Sequence, residues 1–478
     1  MDEKVNNKRI DNLLNGIVIY GFGVLGSKVI GFLLLPLNTA KLTPAEYGIT
    51  DMISVIISLL MPFATLQIGM TMYKELLLEQ EKETQSIILT NGLFVNIVFT
   101  ALIALCSIPI IHFFYPDFSI IIVLMILLGG LNTTLLPVMR GLRHNMVYTM
   151  SGCISTVIIT LVNAGLVLFT SLRIEAVLLA TLASNVVTVM YMAISAKIWT
   201  FINPRLLNKK KIIDQLKFGI PMIPRDICWW INNSFNRFLL NRYKGNTENG
   251  YFVVTQKFTN LYGNVFSVVS MAWNDSAIQN AKEKDRKEYY NSFYKLLFRF
   301  MMCIYLLILP AINLFYNILV NVQYSQALSY IPLLMLAAVV NQYADLYASL
   351  FLSINDTKKI STTAALSTTL GAVVGIFFIP KFGIWGIAFS TCVSSLLLLV
   401  VRAKAVRKKL DVRFPIEDLW LLVIALVFIL TFHIKAIQIP FLFVAAILSF
   451  LLNKSIIHIL WNYLTNIISK LRRLQKDE

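Results

Sequence analysis

Leu13-Leu-Asn-Gly-Ile-Val-Ile-Tyr-Gly-Phe-Gly-Val-Leu-Gly-Ser-Lys28-Val-Ile-Gly-Phe-Leu-Leu-Leu-Pro-Leu37 decides the fold. A helix crosses the hydrocarbon layer with about 20 mostly apolar residues. This run is long enough to do so, and its one charge is Lys28. It is too long for the apolar core of a secretory signal and has no small-residue cleavage site. The residues before it, Met1 to Asn12, are polar and carry both signs of charge. The run therefore reads as a first membrane span, with no cleavable signal expected.

Similar runs recur to the end of the chain. Further spans are expected at about 50–72, 87–108, 119–139, 147–169, 175–196, 215–241, 249–275, 289–316, 327–353, 360–379, 384–401, 416–434 and 440–463,. The stretches beginning at Gln215 and Asn249 are the least apolar. Of 478 residues 57% are hydrophobic and 14% charged, well short of the roughly 25% charged residues of a soluble domain. The expected fold is an all-α polytopic membrane protein of about 14 spans.

Charge orients the spans. With the N-terminus in the cytoplasm, thirty of the 42 Lys and Arg fall on the cytoplasmic side, six fall in outer loops, and six lie within spans. That bias places both termini in the cytoplasm. It also accounts for the net charge of +17 without a nucleic-acid partner, since the basic runs Lys209-Lys210-Lys211 and Arg407-Lys408-Lys409 sit at membrane exits,. Cys106, Cys153, Cys228, Cys303 and Cys392 are scattered through apolar segments and read as small buried hydrophobes. His112, His144, His433 and His458 show no metal or triad spacing, so neither metal nor cofactor is expected,.

Two internal echoes suggest duplication. Leu42-Thr43-Pro44-Ala45-Glu46-Tyr47-Gly48 and Asn246-Thr247-Glu248-Asn249-Gly250-Tyr251 both place Glu-x-Gly at a helix-to-helix turn. The starts of the sixth and twelfth spans share Ile174, Thr181 and Ser184 with Ile384, Thr391 and Ser394. The separation, about 200 to 210 residues, equals six spans, an even number, so the copies would point the same way. The expected organisation is a six-helix lobe over 1–200, a second over 201–410, and two extra helices with a basic tail over 411–478.

Ionisable residues inside spans are costly and therefore informative. They are Lys28, Arg225, Asp226, Arg237, Lys257, Arg299, Asp345 and Lys454; bases outnumber acids. On the seventh span Arg225, Trp229, Asn232 and Asn236 fall within roughly 60° of one another, flanked by Asn233 and Arg237. Arg and Asn suit phosphate and sugar hydroxyls, and a Trp face suits a sugar ring. Lys28 reads as a cavity-facing cation, against a structural role among Gly21, Gly23, Gly26 and Gly31. Arg225 is either a local partner of Asp226 or a substrate contact; Arg237 either faces the lumen or snorkels, and Lys257 is equally open. Arg299 and Lys454 read as snorkelling. Asp226 and Asp345 read as ion-coupling or structural groups, with structure favoured at Asp345. Pro221 and Pro224 favour a loosened start to this span.

At this span the chain resembles a known family. Lys217-Phe-Gly-Ile-Pro-Met-Ile-Pro224, Trp229-Trp230-Ile-Asn232-Asn-Ser-Phe-Asn-Arg237 and Gly250-Tyr251-Phe-Val-Val-Thr-Gln-Lys257 resemble the Wzx-type oligosaccharide flippases. These belong to the superfamily of multidrug/oligosaccharidyl-lipid/polysaccharide exporters. Asn236 stands where that family usually has an acid before the Arg, which leaves Arg237 without its usual neighbour. The resemblance implies a bacterial inner-membrane protein, not an enzyme, that moves undecaprenyl-pyrophosphate-linked oligosaccharide outward by alternating access for capsule, O-antigen or exopolysaccharide assembly. It implies membrane lipids as partners, with a polysaccharide polymerase and chain-length proteins beside them, and a monomer. Lys28, Arg225, Arg237 and Lys257 would hold the pyrophosphate, and Trp229 with Asn232, Asn233 and Asn236 the sugar. The rivals are a multidrug antiporter, a lipid II flippase, and, in another class, a membrane-embedded polymerase or ligase. Short outer loops without clustered acids or His count against the last.

Overall fold

A computed structural model describes residues 32, 34–79, 81–354 and 356–454. No strand occurs among them. The helices are α1 (Pro44–Thr65), α2 (Ile68–Leu78), α3 (Lys82–Phe114), α4 (Ser119–Gly141), α5 (Asn145–Phe169), α6 (Ile174–Ser195), α7 (Lys209–Gly219), α8 (Ile223–Gln279), α9 (Arg286–Leu319), α10 (Ser325–Ser353), α11 (Thr357–Phe382), α12 (Ile384–Leu410), α13 (Trp420–Thr431) and α14 (Lys435–Leu452). The all-α membrane fold expected from the apolar runs is present.

Among the described residues, ten helices are long and apolar enough to cross a membrane. The four other expected spans differ in kind. Most of the first lies outside the described residues. The seventh and eighth are the two halves of α8, joined at Gly245, whose φ of 83° breaks the helix. The thirteenth is α-helical only over the 12 residues of α13, too short to cross alone at about 1.5 Å per residue.

Contacts divide the chain into two units. Of the described residues, one holds those from 32 to 253 and 379–383, the other those from 254 to 378 and from 384 to 454. In the first, α2 packs on α4, α5 on α6, and α7 on α2. Its core runs through Ile68, Met72, Leu89, Val138 and Met192. In the second, α10 packs on α12 and α9 on α14, and the core is aromatic. Trp273 stacks on Phe293 at 3.7 Å and Tyr294 on Tyr347 at 4.5 Å. Buried hydroxyls there need acceptors, and backbone carbonyls supply them: Tyr262 donates to Met301, Tyr294 to Leu346, and Tyr305 to Pro332.

Each echoed stretch has a matching structural role. Thr43 caps α1 in a capping box with Glu46,. Within the first unit the two Glu-x-Gly turns pack directly on each other. A Cβ on Gly48 would lie 1.9 Å from the Asn246 carbonyl oxygen, and one on Gly250 would lie 1.8 Å from that of Pro44. The contact is reciprocal: Pro44 stands to Gly250 as Asn246 stands to Gly48. Only glycine permits backbones so close. The second echo recurs inside each unit. Ser184 of α6 donates to the Ser155 carbonyl of α5 at 3.2 Å, and Ser394 of α12 donates to the Ser367 carbonyl of α11 at 2.8 Å.

Candidate functional site

The first half of α8 has two faces because its apolar residues recur at helical spacing. Ile223, Trp230, Ser234 and Leu240 are buried. The Trp230 indole N–H donates to the Val55 carbonyl at 3.1 Å and packs with Met52 and Val55 of α1. Arg225, Trp229 and Asn233, at four-residue spacing, form an exposed strip. The Trp229 side chain is 62% exposed and that of Arg225 59%. Asn233 bonds back to the Trp229 carbonyl at 2.8 Å. Asn236 is half-buried. The side chain of Asn232 and the whole of Lys28 lie outside the described residues.

Arg225 is held from one side. Its Nε donates to Asp226 Oδ1 at 3.0 Å, and its Nη2 reaches the same oxygen at 3.0 Å. The other Asp226 oxygen accepts from the Gln67 side-chain amide. Gln67 stands at a break in the second span. Leu66 and Gln67 adopt φ of 46° and 54°, left-handed values that cost a non-glycine residue roughly 1 kcal/mol or more each. The break is supported by its surroundings: Thr100 donates to the Ala64 carbonyl at 3.1 Å, and Gly219 leaves room for the Leu66 carbonyl, 2.3 Å from where its Cβ would stand. Opposite this break, the seventh span begins with a short 3-10 turn at Ile220–Met222, the loosened start that Pro221 foretells. Interrupted helices at membrane depth occur where backbone is buried in protein or lines a water-filled cavity.

Arg237 turns the other way. Its Nη1 donates to Asp51 of α1 at 3.0 Å, and the second Asp51 oxygen accepts from Asn249 at 3.3 Å. Asn249 also donates to the Gly48 carbonyl at 3.0 Å. With Asn236 beside it in place of an acid, Arg237 finds its carboxylate on another helix. The intrahelical position thus says nothing about how free this Arg is.

In the second unit, Asp345 is held by an arginine on another helix. It accepts from Arg402 Nη1 at 2.7 Å. Arg402 also donates to the Ala344 carbonyl and to Thr363 Oγ1, both at 3.1 Å, and its side chain is 3% exposed. Counting by position had put Arg402 in a cytoplasmic loop; it is a buried anchor. Lys257 is half-buried on α8 and makes no ion pair among the described residues. Arg299 does not simply snorkel: it binds Asp418 at 2.9 Å. Among the described residues no group of three or more His, Cys, Asp or Glu is placed to hold a metal.

The arrangement has a definite electrostatic sense. The span carboxylates Asp51, Asp226 and Asp345 are each bound to an Arg. The exposed Arg225–Trp229–Asn233 strip on the first half of α8 carries a guanidinium, an indole and an amide. Such a surface can bind an anion and stack a ring; it offers no free carboxylate to an organic cation.

A family model described as "Polysaccharide biosynthesis protein" matches residues 13–274. No curated protein matches the sequence. Solved structures share the fold at low identity. An inward-facing multidrug resistance MATE family transporter of the MOP superfamily aligns with TM-score 0.64 and 14% identity over 80% of this chain and 94% of its own. The lipid II flippase MurJ, in an inward closed conformation, aligns with TM-score 0.64 and 16% identity over 92% of this chain and 100% of its own. An outward-facing MATE structure aligns with TM-score 0.52 and 14% identity over 85% and 96%.

Proposed function

Since this chain belongs to the polysaccharide biosynthesis protein family of the MOP superfamily, we propose that it flips an undecaprenyl-pyrophosphate-linked oligosaccharide across the bacterial inner membrane by alternating access. The chain is a multi-pass membrane protein whose fold is shared by a MATE family transporter and the lipid II flippase MurJ.

The observation that carries this proposal is the exposed Arg225–Trp229–Asn233 strip, combined with the pairing of Asp51, Asp226 and Asp345 with arginines. A pyrophosphate loses its water shell on entering the membrane and must be met by fixed positive donors. Arg225 is oriented for this by Asp226 and Gln67. Lys28 and Lys257 are proposed as further positive groups, with Arg237 already bound to Asp51, and Trp229 with Asn232, Asn233 and Asn236 meets the sugar. The bodies that move lie near the sequence lobes 1–200 and 201–410, with the first reaching on to residue 253 as its contacts do; both termini are cytoplasmic, and the protein works as a monomer beside a polymerase and chain-length proteins. The product enters capsule, O-antigen or exopolysaccharide assembly. A multidrug antiporter is disfavoured because Asp226 and Asp345 are both occupied by Arg.

The test is a deletion strain complemented with Arg225→Glu or Arg225→Lys. Charge reversal should trap lipid-linked oligosaccharide on the cytoplasmic face while the protein stays inserted, and Lys should restore part of the flux. Full export by the Glu variant overturns the assignment.

A further inference from the structure

The second unit carries a lipid-shaped groove that the transport reading does not use. Two cavities meet at Phe414. The outer, of about 460 Å³, is lined by Lys295, Lys404, Arg407 and Arg413 against one acid, Glu417. The inner, of about 170 Å³, is lined by apolar and aromatic side chains, among them Phe298, Met302, Leu396, Leu399 and Leu426. Phe414 borders both, its ring 5.4 Å from that of Phe298.

The same two helices build both cavities, and each changes character at the same level. On α9, Asn291 and Lys295 line the charged cavity and Phe298 and Met302 the apolar one. These positions recur every three or four residues and share one face. On α12, Cys392, Leu396 and Leu399 line the apolar cavity, and Ala403 and Arg407 continue the same face into the charged one. The third wall is the link to α13, fixed in place by a ladder along α9. Lys287 binds Asp411, Asn291 accepts from the Arg413 backbone N–H at 2.7 Å, Lys295 binds Glu417, and Arg299 binds Asp418. The ladder engages Lys295, and Arg413 reaches Asp411 at 3.7 Å. Lys404 and Arg407 stay exposed and make no ion pair among the described residues.

We propose that this groove binds one anionic glycerophospholipid, its phosphate against Lys404 and Arg407 and the start of an acyl chain in the slot below Phe414. A free phosphate would have no use for the slot, and a zwitterionic lipid would leave the charge surplus unmet. Basic pockets between spans on the positively charged side of a membrane protein are known to take such headgroups. Diffuse attraction of surface lysines to anionic lipid needs neither a cavity nor a matched apolar slot.

The test uses the purified full chain in detergent, with bound lipid counted by native mass spectrometry after adding phosphatidylglycerol, phosphatidylcholine or inorganic phosphate. One phosphatidylglycerol should remain bound while phosphatidylcholine washes off. Each base removed beside an anionic headgroup weakens binding roughly five-fold, so K404Q/R407Q should cost about thirty-fold. Neither side chain is paired, so the fold should survive. Leu426→Trp, on the lipid-facing rim of the slot, keeps all four bases and should still reduce retention. Equal retention of the two lipids, unchanged retention in K404Q/R407Q or Leu426→Trp, or full competition by inorganic phosphate would each overturn the proposal.

Discussion

Replacing Gly48 or Gly250 by Ala tests the tightest contact in the first unit. The added carbon would stand 1.9 Å from the Asn246 oxygen in one case and 1.8 Å from the Pro44 oxygen in the other, against 3.4 Å for ordinary contact. Neither obstacle is a side chain that can swing aside, so the two backbones must part by roughly 1.5 Å. That movement stretches the Asn249 bonds to the Gly48 carbonyl and to Asp51. Overpacking of this kind costs about 1–3 kcal/mol, and each single variant should fall in that range. Because the contact is reciprocal, opening it for one methyl also makes room for the other. The double variant should therefore cost clearly less than the sum, with a coupling energy of about 1 kcal/mol or more. Gly152→Ala is the control, since no atom lies within 4 Å of its added carbon. The assay is chemical unfolding in micelles followed by tryptophan fluorescence. Strict additivity of Gly48→Ala and Gly250→Ala, or equal damage from Gly152→Ala, would refute the reciprocal contact.

Two further outcomes follow from the ion pairs. Asp51→Ala strands Arg237, whose side chain is 23% exposed, and should cost about 3 kcal/mol in the same assay; Asp51→Leu with Arg237→Met should recover most of it, because an apolar pair of similar size leaves no unmet charge. In the α12–α13 link, the hydrogen bond from Lys287, with its charge and that of Arg413, holds the Asp411 carboxyl below its ordinary value. A lowered carboxylate stabilises the fold above the unfolded value near 4 and stops doing so as pH falls through the folded one. Hydrogen exchange in residues 411–418 should therefore quicken in Lys287→Ala at pH 7, with the difference from the parent protein shrinking below about pH 4; a difference that grows in acid would contradict the pairing.

Apolar length was enough to read the membrane fold, because it reports depth along a helix, which is a one-dimensional property. The weakly apolar halves of α8 were visible through their motif residues, and residues of both echoes sit at close backbone or side-chain contacts. What stayed hidden was whatever depends on the direction a side chain takes toward another helix. Arg402 counts as a loop residue by position, yet it is buried against Asp345 and Thr363. Arg237 seemed relieved of a partner by Asn236 and is paired with Asp51 instead. The break at Leu66–Gln67 falls on neither glycine nor proline, although Pro62 and Gly69 flank it, and its support is tertiary: Gly219 and Thr100 accept a strained turn that local preference would reject. The ladder on α9 did leave a trace, a polar residue at every fourth position from Lys287 to Arg299, matched by Asp411, Glu417 and Asp418 far along the chain.

These pairings also bear on what the spans can carry. A carboxylate buried without a partner is a site for a proton, a metal ion or an organic cation. Asp51, Asp226 and Asp345 are each bound to a guanidinium. Their first effect is therefore to fix helices and orient arginines. The positive surplus is what they leave behind. Arg225 keeps most of its side chain exposed while one carboxylate edge steers it, and Lys257 has no described acid beside it. In the function proposed above, such a surplus penalises cationic cargo and favours a ligand that brings its own negative charge. Asp226→Asn probes this directly: it removes the charge, keeps one oxygen to accept from Arg225, and turns its NH2 toward Gln67, whose side-chain amide can rotate to accept,. A flippase for an anion should tolerate that change with flux retained, whereas a carrier that uses Asp226 to bind a cation should lose its transport altogether.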